Sequence, residues 1–161
     1  MIVGVYASHD KAIVALRKLQ ESGYMPGQLS ILAKAELVNN HIHVRPNDSL
    51  EKAEVSIGVV AGAILGVLPG LGIITIPGLG LLLGAGAWIG AFGGAYLGFL
   101  TGGIVAILTT AMGIDETNGK KYEKHLNEGK FLVFVQGNED QIKLAHDVLH
   151  TLNLHLDLDV H

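Results

Sequence analysis

The chain has 161 residues, 49% of them hydrophobic, with no Cys, 22 Gly and a formal net charge of -4. That length suits one domain, or a small domain with an appendage. The lack of Cys excludes a disulfide scaffold, a Cys-ligated zinc or iron–sulfur centre and thiol catalysis, and the mildly acidic balance argues against nucleic acid as a partner.

The 11 basic and 15 acidic residues all lie outside residues 55–114, a stretch that also holds 16 of the 22 Gly. Sixty consecutive positions are therefore uncharged. The rest of the chain is about 26% charged, the usual value for a globular domain. Two polar pieces, 1–54 and 115–161, flank one apolar piece, 55–114.

The opening run IVGVYA predicts a strand, and no signal peptide is expected ahead of it. Ser8 or Asp10 can cap a helix that runs to about Ser22, with Ala12, Leu16 and Leu19 inward and Gly23 as its stop. Leu29 to Ala35 predicts a second strand, and residues 37–44 a small hairpin turning at Asn39 and Asn40. His41 and His43 alternate on that hairpin, a spacing that lets two imidazoles share one metal ion.

Within the apolar piece, Gly58, Gly62, Gly66 and Gly70 repeat every fourth residue, as do Gly86, Gly90, Gly94, Gly98 and Gly102. On a helix these positions share one face, where the missing side chains let two backbones approach closely. The reading is a pair of glycine zippers joined by PGLGIITIPGLG, whose prolines make it the tip of a helical hairpin. Its arms would be unequal, about 21 Å and 48 Å against a hydrocarbon core of roughly 30 Å, and the longer arm is expected to bend near Gly93 and Gly94 or Gly102 and Gly103.

After Asp115 a short polar helix carries Tyr122 and Leu126 on one side and closes at Gly129. FLVFV at 131–135 predicts a strand apolar on both faces, expected to be covered by a second sheet or another subunit. Residues 139–152 form an amphipathic helix with Ile142, Ala145, Leu149 and Leu152 inward. The final strand alternates, sending His155, Asp157, Asp159 and His161 to one face and Leu156, Leu158 and Val160 to the other. That polar face is the second candidate for metal or proton binding, although residues about 7 Å apart along a strand cannot all reach one ion. His146 and His150, beside Asp147, are expected to face water.

The order β-α-β followed by β-α-β predicts an α+β fold, a split ferredoxin-like (βαβ-βαβ) domain interrupted by the Gly-zipper hairpin. If both halves build one sheet, residues 54 and 115 lie on the same side of any membrane. The apolar piece then crosses twice or enters and returns.

The segments GIDETNGKKYEKHLNEGKFLVFVQG and IVGVYASHDKAIVALRKLQESGY carry a likeness of their own. The first is similar to the pattern that closes the Gly-rich segment of bacterial general stress proteins of the heat-induced YflT-like type. The second resembles that family's opening strand and helix. The resemblance implies a membrane-associated or stress-linked protein and implies no reaction or site; the richness in His departs from it.

No GxSxG, Walker A, HExxH or strand-GxGxxG-helix motif occurs, so no enzyme and no cofactor are expected. The expectation is a homo-oligomer in contact with membrane lipid, its polar domain in the cytoplasm, with a structural or stress-protective role. Rival readings are a soluble oligomer with a dry core, a metal-binding or pH-responsive module using the His/Asp strand, and a pore or transport component. The last is disfavoured because Ser56, Thr75, Thr101, Thr109 and Thr110 are the polar groups available to line a path.

Overall fold

A computed structural model describes residues 1–34, 71–76, 80–86 and 96–161. Its elements are β1 (Ile2–Tyr6), α1 (His9–Glu21), a 3-10 turn (Pro26–Gln28), β2 (Leu29–Lys34), β3 (Leu71–Ile76) and β4 (Gly80–Gly86). They continue with α2 (Tyr96–Met112), α3 (Glu116–Asn127), β5 (Phe131–Val135), α4 (Glu139–Leu152) and β6 (His155–Val160).

Six strands form one sheet in the order β3-β4-β2-β5-β1-β6, and every neighbouring pair is antiparallel. β1 and β2 both run against β5, so they are parallel to one another with β5 between them. The second unit mirrors the first: β5 and β6 both run against β1, which separates them. The two polar pieces of the chain thus interleave in one sheet, as the split β-α-β order requires.

The central strands are apolar on both faces and are covered on both faces from within the chain. Tyr6, Ile31, Val133 and Val135 face α1 and α4, where Leu16, Leu19, Ala145 and Leu149 complete one core. Val3, Val5, Leu32, Leu132 and Phe134 face Ile104, Ile107 and Leu108 of α2 and Tyr122 and Leu126 of α3. No second sheet or subunit is needed over β5. α2 lies in the uncharged piece, so the end of that piece is domain core rather than hairpin.

The cover by α2 and α3 rests on local chemistry. Asp115 caps α3 by accepting from the Asn118 backbone N–H at 3.0 Å. A Cβ on Gly119 would stand 3.0 Å from Val105 Cγ1, so glycine there lets α3 close on α2. Gly103 has φ 62° and ψ -161°, a conformation open essentially to glycine, and it divides α2 where a bend is expected. On the opposite side, Asn138 and Gln141 cap α4 reciprocally.

The helical hairpin is corrected by β3 and β4. The expected tip, 69–80, instead supplies LGIITI, a strand rich in β-branched residues, and GLLLGAG pairs with it across residues 77–79. Gly86 ends a strand, so it does not share a helix with Gly98 and Gly102, and the second series is not one zipper. The register pairs Gly72 with Gly84 and Gly84 with Leu32, placing these glycines on the sheet face that carries α2. Among the described residues, no helix is long and apolar enough to cross a membrane. Gly58, Gly62, Gly66, Gly70, Gly90 and Gly94, and the hairpin with His41 and His43, lie outside the described residues.

Candidate functional site

The densest polar constellation among the described residues joins α3 to the edge strand β6. On α3, Tyr122 and Leu126 are four apart and fully buried. Lys121 and His125, also four apart, then lie beside that buried stripe and reach the rim of the sheet. Lys121 Nζ stands 2.5 Å from Asp157 Oδ2 and 2.8 Å from Asp159 Oδ2. Tyr122 donates its hydroxyl proton to Asp159 Oδ2 at 2.8 Å. With that proton committed, the phenol oxygen accepts from His161 Nε2 at 2.6 Å. His125 Nε2 lies 3.9 Å from Asp157 Oδ2, and its Nδ1 faces Glu128 at 3.7 Å.

The electrostatics fix the charge states. Desolvation pulls the Lys121 ammonium down, but the bonds to Asp157 and Asp159 outweigh it and hold its pKa above the usual lysine value. Desolvation pushes Asp159 up, and its bonds to Lys121 and Tyr122 more than reverse this, so its carboxyl lies below the ordinary range. Burial, then the bond to Asp159, drives the Tyr122 phenol far upward. At neutral pH the trio is therefore ammonium, carboxylate and neutral phenol. A lysine nucleophile needs a depressed pKa, and a tyrosine base needs accessible ionisation; both shifts here run the other way. The arrangement is suited to holding α3 on β6.

The expected polar face of β6 is only partly realised. Asp157, Asp159 and His161 lie on the α3 side. His155 does not, because a bulge opposite Val5 and Tyr6 pairs Tyr6 with His155 and Val5 with Asp157. Leu156 is the extra residue and stays exposed, while His155 turns to the face of Tyr6 and approaches His150 on α4, ring centroids 6.3 Å apart. The four residues cannot share one ion, and both carboxylates already hold Lys121. Among the described residues no group of three or more His, Asp or Glu is gathered to hold a metal ion.

Sequence reading singled out the acidic strand and passed over Lys121 and His125. The available signal was complementary patterning: KKYEKH places cations along the edge of the same stripe that buries Tyr122. On the other face, the Tyr6 hydroxyl and His155 Nδ1, on paired residues, are buried and have no hydrogen-bond partner among the described residues.

No protein-family model, curated protein or solved structure matches this chain.

Proposed function

We propose that this is a non-enzymatic protein that associates with membrane lipid and with copies of itself, in a structural or stress-protective role. The observation that carries the reading is the contrast between the two edges of the sheet. β6 carries Asp157 and Asp159, the charged residues that commonly guard an edge strand. β3 and β4 at the other end carry no Asp, Glu, Lys or Arg over LGIITI and GLLLGAG. An uncharged apolar hairpin at a sheet edge is suited to lipid or to another such hairpin.

The resemblance to heat-induced general stress proteins accords with this role, as does the absence of an activated side chain in the Lys121 cluster. The lipid contact proposed is by the uncharged β3–β4 edge, while Ile104, Ile107 and Leu108 of α2 stay in the domain core. Ferredoxin-like is the fold description that accords with the strand order.

Fractionation of native cells with and without detergent tests the reading, together with flotation of the purified protein on liposomes. Recovery in the membrane pellet, release by detergent and a discrete oligomer in light scattering are expected. A dispersed monomer in detergent-free buffer that ignores liposomes overturns it. A dispersed oligomer under the same conditions selects the second reading, in which the uncharged edges pair with each other in water.

A further inference from the structure

The face of α4 away from the Lys121 network carries an arrangement that the proposed function does not use. His146 and His150 are four residues apart on one helix, with ring centroids 5.7 Å apart and planes only 20° from parallel. Two imidazoles bound to one ion at about 2.0–2.1 Å place their centroids roughly 5–6 Å apart, so the spacing already suits a shared metal. Binding requires the rings, now stacked, to rotate about their side-chain bonds so that two nitrogens converge.

Two further observations favour an ion there. The carboxylate of Asp147 lies 3.6 Å from His146 Nδ1, too long for a hydrogen bond but close enough to add negative charge beside a bound cation. The His146 side chain is 42% exposed and His150 is exposed, so an ion reaches both without unfolding the helix. Against it stands the Lys143 ammonium, which lines the same 270 Å³ depression as His146, Asp147, Ile142 and Val160. Asp147 offsets that charge.

We infer that His146 and His150 form a bidentate surface site for a borderline divalent cation of the Zn²⁺, Ni²⁺ or Cu²⁺ class, with water completing the coordination. Imidazole suits these metals, and two ligands on successive turns chelate where a single His does not. His155 closes the row toward the sheet but has its Nδ1 buried, so it borders the site.

The test is titration of the full chain with ZnCl₂ and with NiCl₂ by calorimetry, for the parent and for His146→Gln, His150→Gln and the double variant. Gln keeps the polarity of these accessible positions, and far-UV circular dichroism checks that each variant is folded. The parent is expected to bind one equivalent more than the double variant, and each single change should weaken that site by at least about tenfold, the scale on which even outer-shell losses act. Asp147→Asn should weaken it less than either His change. The Cu²⁺ complex of the parent should show nitrogen hyperfine splitting from two imidazoles that the double variant loses. A parent that binds neither metal up to millimolar concentration overturns the inference. So does a folded double variant with the parent's stoichiometry and affinity.

Discussion

Replacing Lys121 by Met keeps the aliphatic stem and removes the ammonium, which isolates the charge in the clamp between α3 and β6. Two ion pairs, at 2.5 and 2.8 Å, are lost together. The groups are partly shielded, with side-chain exposures of 34% for Lys121, 32% for Asp157 and 24% for Asp159. They fall between exposed pairs, contributing about 0.2–1 kcal/mol, and fully buried ones, where stranding a partner costs about 3–5 kcal/mol. A loss of about 2 kcal/mol at pH 7 is expected, which for a chain of this size lowers Tm by roughly 4–8 °C.

The pH dependence gives the sharper check. Asp159 has its folded pKa lowered from 3.8, so its contribution is fully present above the unfolded value and fades as pH falls through the folded one. Lys121 has its folded pKa raised from 10.5, so its contribution is present below that value and is lost as pH rises through the folded one. The deficit of Lys121→Met should therefore be greatest between these limits and shrink in strong acid, where the carboxylates are protonated. Urea unfolding at pH 7 and near pH 2, with m unchanged, measures it. A variant within about 0.5 kcal/mol of the parent at pH 7, the ordinary scatter of surface changes, refutes the reasoning. So does an equal deficit at both pH values.

Other expectations test the packing. Leu108→Ala, at a fully buried position of the core beneath α2, should cost about 2–5 kcal/mol in denaturant unfolding; a mild effect would mean that α2 is not part of the folded domain. Tyr6→Phe removes a buried hydroxyl without a partner among the described residues and should leave stability equal or up to about 1 kcal/mol higher. Gly4→Ala should destabilise by about 1–3 kcal/mol, because its Cβ would stand 2.9 Å from Tyr6 Cε2 on a buried ring; thermal melts of the two variants should move apart. Asn138→Ala breaks the reciprocal cap with Gln141 and should cost about 0.5–2 kcal/mol, visible as faster amide exchange in the first turn of α4.

The periodic parts of the fold were legible because one force shaped both pattern and structure. The stripe Ala12, Leu16, Leu19 and the run FLVFV each state which faces meet the core, and Asp115, Gly23 and Gly129 mark ends that the backbone respects. The second glycine series misled because a spacing of four marks one helix face only if a single helix carries every member, and Gly86 ends β4 whereas Gly98 and Gly102 lie in α2. Ile73, Ile74, Thr75 and Ile76, β-branched in succession, held the deciding information. The site failed at one residue, because strict alternation assumes an unbroken ladder and the bulge at Leu156 turns His155 away from Asp157.

The place of β5 between β1 and β2 also governs how the chain can be made. Leu32 meets its neighbour Leu132 only after a hundred further residues have been added. At about 5–20 residues per second a ribosome needs roughly 5–20 s to supply them, and in that interval the uncharged stretch emerges with no completed sheet to join. The newborn protein thus passes through a sticky stage set by topology alone, during which a chaperone or a nearby bilayer can reach it first.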